Sequence, residues 1–440
     1  MFTVRIINYI IAVLFFACYF YQFVYMALSV LKKKKLKTNA IYHNFAVLIA
    51  ARNEEQVIQN LIESINAQTY PKDRITVFVV ADNCTDHTAA AAKNAGAVVY
   101  ERENKHKVGK GYALDFLLER ISEDYPQGSF DGYFVFDADN ILEDDYIEQM
   151  NGTFSQGYDI VTGYRNSKNY GDNWISAGYS LWFLRESQVL NKVRSMIGTS
   201  CFVSGTGFMF SDRVMRERGG WKYYLLTEDI EFTADTIANG ERIGYCEDAM
   251  LYDEQPTSLK QSIRQRLRWA KGYLQVISKY GGKLVGGAVK KRNFSCYDMI
   301  MSISPAFILT VAAVVVNIAG FFVSLPDIKS IEGIALSVLE TLFNGYLMFI
   351  GLGLFTLITE WKKIHCSAFK KILYLITFPV FMATYIPISA AALFVKVTAV
   401  ICPGAAAPVS IRRRLRSTSV RVLPVPGPAT PVICRPGALP

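Results

Sequence analysis

The chain has 440 residues, enough for about three domains. Half of it is apolar (51%), while the charged residues (19%) concentrate in one long central stretch, so a single large globule is excluded. The formal net charge is +9, but six of the excess charges are arginines after residue 402. Most of the others are lysines beside apolar segments, where anionic lipid headgroups are the expected partner. A nucleic-acid-binding protein is therefore excluded.

The first apolar segment runs from Val4 to Leu31, carries one charge and is long enough to cross a ~30 Å hydrocarbon core. A cleaved signal peptide, the alternative, has a shorter apolar region of about 7–15 residues. Here the segment ends in the cluster Lys32-Lys33-Lys34-Lys35-Leu36-Lys37. We therefore predict a retained membrane anchor over residues 1–37, with its C-terminal end in the cytosol.

The central stretch, residues 38–257, alternates short apolar runs with segments of helical periodicity. The sequence predicts strands at Phe45–Ala50, Ile75–Val80, Ala97–Tyr100 and Tyr133–Phe136, and helices at about Val57–Ile65, Thr85–Ala95 and Gly109–Ile121. Strands and helices that alternate at this spacing predict an α/β domain, in which helices cover both faces of a parallel sheet.

Polar clusters follow three of the predicted strands: Arg52-Asn53-Glu54-Glu55, Asp82-Asn83 and Asp137-Ala138-Asp139. Ligands of parallel α/β sheets bind outside the carboxyl ends of the strands. The three clusters therefore predict one nucleotide-binding edge.

Asp137 and Asp139 are two residues apart, so in an extended segment both carboxylates point the same way. Oxygen ligands of this kind suit Mg²⁺ or Mn²⁺, which bridge protein and phosphate oxygens. The alternative is a polar turn in which Asn140 closes the strand.

Thr227-Glu228-Asp229 has two interpretations. Threonine is a good N-cap and acids suit the first helical turn, so the segment can be a helix start that Glu231 continues. The other interpretation is a catalytic carboxylate.

Gln265, Arg268 and Trp269 lie at i, i+3 and i+4, on one face of a predicted helix. A guanidinium matches phosphate oxygens, and an indole offers a platform for a sugar ring. A second interpretation, compatible with the first, is an amphipathic helix from Ser258 to Ile277 within an interfacial region, residues 258–296. In that interpretation its cations contact lipid headgroups: Arg264, Arg266, Arg268 and Lys271.

Three further membrane spans are predicted within residues 297–400: Tyr297–Val323, Leu342–Thr359 and Ile372–Val395. Basic clusters at Lys290-Lys291-Arg292 and from Trp361 to Lys371 fit cytosolic loops. With the anchor, four spans leave the N-terminus outside and residues 32–296 in the cytosol of a multi-pass cell-membrane protein. Residues 401–440 are rich in Pro and Arg and predict a disordered or aberrant tail.

The ordered motifs between Val47 and Tyr280 resemble the membrane-bound family-two glycosyltransferases, the group of the cellulose, hyaluronan and poly-N-acetylglucosamine synthases. Ala51-Arg52-Asn53-Glu54-Glu55 is similar to the opening nucleotide loop of that family. The spaced aspartates and QxxRW signature are matched by Asp82, Asp137, Asp139, Asp229 and Gln265-x-x-Arg268-Trp269. Gly109-Lys110-Gly111 and Ser204-Gly205-Thr206-Gly207 resemble a donor-phosphate lysine segment and an acceptor-side loop.

This resemblance implies a Rossmann-like, GT-A type nucleotide-sugar-binding domain that inverts the anomeric carbon. On the donor side, Asp82 and Glu54 would contact uracil or ribose, and Lys110 would support the pyrophosphate. Asp137 and Asp139 would hold the nucleotide and Mg²⁺ or Mn²⁺.

On the acceptor side, Asp229 would be the general base and Trp269 would line the acceptor site, while Arg268 would stabilise the departing diphosphate. The remaining expected substrate-binding residues are Gly205, Thr206, Glu228 and Gln265.

The chain departs from the polymerising synthases in having four spans and no match to the cellulose-synthase gating segment. Both polymer synthesis and a single transfer to a lipid or short glycan therefore stay open, as does an accessory membrane subunit. The alternatives are a polyprenyl-phosphate sugar transferase and a catalytically inactive nucleotide-binding subunit of an export complex. QxxRW argues against the first of these, and the intact Asp229 against the second.

Overall fold

The computed structural model describes residues 2–31, 40–324 and 328–397. Its helices are α1 (Phe2–Ser29), α2 (Ile58–Asn66), α3 (Thr88–Asn94), α4 (Lys110–Asp124), α5 (Tyr146–Phe154), α6 (Trp174–Arg185), α7 (Lys192–Met196), α8 (Asp212–Arg218), α9 (Glu228–Ala238), α10 (Leu259–Lys290), α11 (Phe294–Ile303), α12 (Pro305–Ser324), α13 (Ile328–Thr359), α14 (Ala368–Ala383) and α15 (Tyr385–Phe394). Its strands are β1 (Phe45–Ala51), β2 (Ile75–Asp82), β3 (Val98–Arg102), β4 (Gly132–Asp137), β5 (Ile141–Leu142), β6 (Ile160–Ser167), β7 (Phe208–Ser211) and β8 (Ile243–Asp253). The lysine cluster at 32–37 and the tail at 401–440 lie outside the described residues.

The strands form one sheet in the order β3-β2-β1-β4-β7-β6-β8-β5. The four predicted strands are confirmed, and they pair in parallel, with Phe45 opposite both Ile75 and Gly132. Beyond these four strands the direction changes, because β7 runs antiparallel to both β4 and β6. The sheet is therefore mixed, and a second parallel pair, β6 and β8, lies beyond β7.

Strand β1 lies at the centre of the core, with all seven of its residues buried. Its alternate side chains join two apolar clusters: Leu48 and its neighbours pack with α4, and Val47 and its neighbours pack with α2. This alternation follows from the pleat of the strand, which sends successive side chains to opposite faces. Helices therefore cover both faces, as predicted, and the polar carboxyl ends are left at one edge.

Four helical segments are long and apolar enough to cross a membrane: Val4–Ser29, Phe294–Val323, Ile331–Thr359 and Ala368–Phe394. They correspond to the four predicted spans, although the last three begin 3–11 residues earlier than predicted. Such helices indicate a membrane protein.

Helix α10 extends beyond the predicted amphipathic segment, to Lys290, and not all of its cations face outward. Arg266 is fully buried, and its guanidinium donates to the Phe381 carbonyl (3.2 Å) and to the Thr384 hydroxyl (2.6 Å). The predicted headgroup contact is therefore wrong for Arg266. The carbonyl and hydroxyl lie where α14 gives way to α15, so Arg266 connects α10 to the last apolar segment.

Candidate active site

The loops after β1 and β2 contact each other directly, because their parallel strands end at the same edge. Asn53 has a left-handed backbone (φ 57°), and its side-chain oxygen accepts from the Thr85 amide at 2.8 Å. The Glu54 amide donates to the Thr88 hydroxyl at 2.7 Å. Residues 85–87, which were predicted to be helical, form part of this contact instead, and α3 begins at Thr88.

Asp82, the last residue of β2, is fully buried. One carboxylate oxygen accepts from Arg102 (2.5 Å) and from the Asn83 amide nitrogen (2.9 Å). The other oxygen, Oδ2, has no hydrogen-bond partner among the described residues. Burial raises the pKa of Asp82, which Arg102 opposes. Asp82 Oδ2 is thus available to a ligand that carries an N–H or O–H group.

Lys110, the first residue of α4, joins two parts of the site. Its ammonium lies 2.5 Å from Asp137 Oδ1 and 2.7 Å from the Gly205 carbonyl. The neighbouring Gly111 allows this position, because a Cβ there would lie 2.0 Å from the Tyr223 carbonyl oxygen. The N-terminus of α4 therefore lies against the segment that precedes Thr227.

Asp137 ends β4, whereas Asp139 lies in the turn that follows. The Asn140 amide donates back to the Asp137 carbonyl at 3.1 Å and closes that turn. The backbone is therefore a turn at Asp139 and not the extended segment that the prediction assumed, while the metal site at Asp137 and Asp139 stays a prediction. The carboxylates nevertheless come close to each other: burial, then Asp253 and Asp137, raise the pKa of Asp139 well above its usual range, which Lys168 opposes.

Two charged residues that were not predicted from the sequence, Lys168 and Asp253, act on Asp139, and a third, Arg165, binds Asp253. Arg165 binds Asp253 through its Nε (3.0 Å) and donates to the Ser204 carbonyl (2.7 Å). Lys168 contacts the Asp139 carbonyl. Asp253 ends an apolar strand and is followed by Glu254, so the rule that identified Asp82 and Asp137 also points to Asp253.

Asp137 and Asp139 fit a divalent ion that takes only some of its ligands from the protein. Among the described residues, no cluster of three or more His, Cys, Asp or Glu side chains forms a complete metal cage. Mg²⁺ typically takes one or two carboxylates and completes its shell with water and substrate phosphates. The Asp137 side chain is 38% exposed, which leaves room for such ligands, and a cation would relieve the crowding of carboxylates at Asp139.

The loop Ser204–Gly207, which precedes β7 in the chain, lies in space between the end of β4 and the start of α9. Thr206 is buried; its hydroxyl accepts from the Asp137 amide (2.9 Å) and contacts Asn140. Its hydroxyl contacts are thus with the chain itself, which fits a role in positioning the turn. Gly205 has φ 80°, and a Cβ at this residue would lie 3.6 Å from Asp229 Oδ2.

Helix α9 begins at Glu228, so the helix-start interpretation of this segment is correct for the backbone. Thr227 occupies the N-cap position, but its side chain caps nothing, and its hydroxyl has no partner among the described residues. That hydroxyl instead faces Gly272 of α10, where a Cβ would approach it to 2.5 Å. The close approach brings the first turn of α9 against the helix that carries Gln265, Arg268 and Trp269.

Glu228 and Asp229 form a half-buried acidic pair. Burial, then the charge of Asp229, raises the pKa of Glu228 to about 7. Burial likewise raises the pKa of Asp229. Lys110 and Arg268 oppose both shifts, so these two cations lie close to the acidic pair.

Two of the QxxRW residues carry unsatisfied polar atoms, and one of them, Arg268, lies near this pair. Arg268 Nε and Gln265 Oε1 are buried and have no hydrogen-bond partner among the described residues. Trp269 makes edge contacts with Tyr179 (5.7 Å between ring centroids) and Phe183 (6.1 Å), which fix its orientation.

Two more residues of this region, Glu186 and Tyr273, were not predicted from the sequence as site residues. Tyr273 lies one turn after Trp269, and burial, then Glu186 and Asp229, raise its pKa. Glu186 begins a π-helical turn, Glu186–Asn191, and accepts from the Ser204 hydroxyl. Turns of this kind are frequent at functional sites.

The profile of the family described as "Glycosyltransferase like family 2" matches residues 43–272, just over half of the chain. The chain belongs to this family. Residues 43–272 form a glycosyltransferase domain of this family, and its α/β fold is of the GT-A type that the sequence predicted.

The chain resembles curated glycosyltransferases, and some of them are named for their products. It is 26% identical to the probable glycosyltransferase YdaM of Bacillus subtilis, over 53% of this chain and 56% of that protein. It is 25% identical to a beta-monoglucosyldiacylglycerol synthase of Synechocystis (53% and 48% covered). It is 22% identical to a poly-beta-1,6-N-acetyl-D-glucosamine synthase of Staphylococcus epidermidis (60% and 62% covered). The chain thus spans about half the length of the curated relatives it matches.

Among solved structures, a mannosyltransferase from Pyrobaculum calidifontis in complex with GDP-Man and Mn²⁺ has the same fold. The TM-score is 0.57 at 14% identity, with 80% of this chain and 96% of the other covered.

Proposed function

We propose that this glycosyltransferase transfers a sugar from a nucleotide-sugar donor, of the UDP-sugar type, to a hydroxyl group of a glycan or lipid acceptor at the membrane. The anomeric carbon is inverted. The observation that carries the proposal is the position of Lys110, whose ammonium contacts both Asp137 Oδ1 and the carbonyl of Gly205. Gly205 lies against Asp229, so the donor side and the base side belong to one cluster.

On the donor side, the unpaired Oδ2 of Asp82 accepts a hydrogen bond from the base or ribose, with Glu54 nearby. Lys110 supports the pyrophosphate, and Asp137 and Asp139 hold Mg²⁺ or Mn²⁺. When bound, such an ion neutralises negative charge on the diphosphate. The Mn²⁺ in the fold relative supports this assignment.

As the bond to the sugar breaks, negative charge collects on the departing diphosphate. Arg268 stabilises that charge, and its buried, unpaired Nε is a preorganised donor of the kind that favours a transition state over a ground state. Gln265 lies one turn earlier on the same helix, and its unpaired oxygen accepts from a substrate hydroxyl.

On the acceptor side, Asp229 takes the proton of the attacking hydroxyl. Burial raises its pKa, which makes it a stronger base at neutral pH than an exposed aspartate. Trp269 packs its ring against the acceptor sugar. The neighbouring charge of Glu228 adjusts the basicity of Asp229. Thr206 positions the turn that carries Asp137 and Asp139.

Both acceptor classes are supported by relatives, one named for a glucosyl diacylglycerol and the other for a poly-N-acetylglucosamine. The four apolar helices support action at a membrane, and the lysine-rich flanks favour a cytosolic catalytic domain. A partner subunit is compatible with this arrangement.

The experiment is product analysis of membranes that contain the protein, supplied with a panel of radiolabelled nucleotide sugars. Label in a glycolipid or a glycan, absent with the Asp229→Asn variant, is the expected result. Release of free labelled sugar alone, with no labelled acceptor, would contradict the proposal.

A further inference from the structure

A cavity of about 430 Å³ lies away from the candidate active site around Lys110 and Asp229. Three segments line it: residues 197–199 after α7, residues 240–242 before β8, and residues 292–295 at the start of α11. Strand β8 separates it from the site, since the strand begins at Ile243 beside the cavity and ends at Asp253 in the acidic cluster. Ten residue steps at about 3.3 Å correspond to roughly 30 Å.

Two arginines line this cavity with their charges unpaired. The guanidinium groups of Arg242 and Arg292 form no hydrogen bond or ion pair with any residue in the described part of the chain. Glu241 also lines the cavity, but it is paired with Arg218 at 3.0 Å. The cavity therefore carries an uncompensated positive charge, which an anion with several oxygens would match.

Arg292 is held in a backbone conformation that its residue type disfavours. Its φ is +50°, in the left-handed region that glycine adopts without cost, at the point where α10 has ended. An arginine in this conformation destabilises the fold relative to glycine, and that cost is offset if its guanidinium binds a ligand. Such strain concentrates at ligand-binding positions.

The cavity also lies where the chain enters an apolar segment. Phe294 begins the candidate span Phe294–Val323 and is 44% exposed, and Ile197 on the opposite lining is 47% exposed. The Ser295 hydroxyl accepts from the Ser200 amide (3.0 Å) and bonds the Thr199 hydroxyl (2.7 Å), so this part of α11 is fixed to the catalytic domain. A phosphate between the arginines would have apolar side chains beside it, as a lipid headgroup has.

We propose that this cavity binds the phosphate of an anionic phospholipid at the membrane surface. Arg242 and Arg292 donate to the phosphate oxygens, while the acyl chains leave past Phe294 along the span. The site is separate from the sugar-transfer site and does not depend on the proposed reaction.

The test uses the full chain in an uncharged detergent, titrated with dioctanoyl phosphatidylglycerol and followed by native mass spectrometry of bound lipid. Saturable binding of one lipid is expected. Arg292→Gly and Arg242→Gln should each weaken it about tenfold or more, because a hydrogen bond to a charged group is worth about 1.5–3 kcal/mol. Arg292→Gly should keep or raise the melting temperature, since glycine suits the left-handed backbone.

Lys291→Gln is the matched control, because Lys291 is an exposed neighbour of equal charge that does not line the cavity. It should change affinity by less than about twofold, since isolated surface charges contribute little. Equal losses in Lys291→Gln and Arg292→Gly would show diffuse attraction and overturn the site. Equal binding of dioctanoyl phosphatidylcholine, or displacement of the lipid by inorganic phosphate at equal concentration, would also overturn the proposal.

Discussion

At the scale of single residues, the candidate site is built from carboxyl groups whose acidity is changed by burial. Glu228 and Asp229 interact closely, and groups that do so release their protons as a pair. Catalysis needs the ionised base, whereas the folded state favours the protonated pair. Activity should therefore increase with pH, while the free energy of unfolding should decrease.

We expect kcat/KM to fall at acidic pH as the Glu228–Asp229 pair takes up a proton, because burial raises the pKa of both carboxyl groups. Glu228→Gln removes the neighbouring carboxylate and should move this acid limb to lower pH. A pH–rate profile of both proteins measures the shift. An acid limb that stays in place in the variant would show that Glu228 does not tune the base.

The same pair should make the folded protein less stable as the pH rises, whereas it makes the enzyme more active. The folded state binds the Glu228 proton up to about pH 7, while an unfolded glutamate releases it near its ordinary 4.5. Between those values the free energy of unfolding should therefore decrease as pH rises, and Glu228→Gln should reduce that slope. Denaturant unfolding at several pH values tests the sign.

Asp139→Asn should weaken donor binding in the presence of Mn²⁺ by about tenfold or more, because one charged contact is worth roughly 1.5–3 kcal/mol. Asp144→Asn, an exposed carboxylate on the next loop, is the control for net charge. Calorimetric titration with a nucleoside diphosphate, with and without Mn²⁺, measures both. Equal affinities in the two variants would remove Asp139 from the metal site.

At the scale of elements, the site depends on how closely α10 approaches α9. A Cβ at Gly272 would lie 2.5 Å from the Thr227 hydroxyl, so Gly272→Ala should push the helix that carries Arg268 away from Asp229. We expect a loss of stability of about 1–3 kcal/mol, typical of overpacking, and a lower kcat.

Gly282→Ala is the matched control on the same helix, because a Cβ there has no heavy atom within 4 Å. Alanine is the better helix former by about 1 kcal/mol, so this variant should be as stable as the parent or more stable. Melting temperatures and single-turnover rates separate the two cases. An unchanged rate in Gly272→Ala would contradict the proposed contact between α9 and α10.

The elements also show what the sequence can predict. Strands β1, β2 and β4 each combine an apolar run with a polar end, so they and their site residues were predictable from local sequence. Strand β7 has only four residues, Phe208–Ser211, and its antiparallel pairing with β4 and β6 is long-range, so local sequence did not reveal the direction of this part of the sheet. The Arg165–Asp253 pair joins strands 88 residues apart, a separation for which local periodicity carries no information.

For the molecule as a whole, a cytosolic catalytic domain places α10 on the cytosolic side of the membrane as well. A cysteine introduced at Lys283, an exposed position of α10, should react with an impermeant maleimide only after cells are opened. The parent protein, which has eight cysteines, gives the background. Labelling of Lys283→Cys above that background in intact cells would contradict the cytosolic assignment.

Asp229 is proposed as the base of the glycosyl transfer, and replacing its carboxylate by an amide isolates that role. Asp229→Asn keeps the shape of the side chain but cannot accept a proton. Since general-base catalysis is typically worth about 10²–10⁴-fold, the transfer rate should fall that far. Donor affinity should stay near that of the parent, because Asp82, Lys110 and the aspartates at the end of β4 bind the donor.

The measurement is the transfer rate together with donor affinity on the same folded protein, with Asp235→Asn of the same helix as the control. The account predicts a normal affinity with the rate lost in Asp229→Asn alone. A folded Asp229→Asn protein that keeps more than roughly a tenth of the parent rate, against that expected loss, would contradict it.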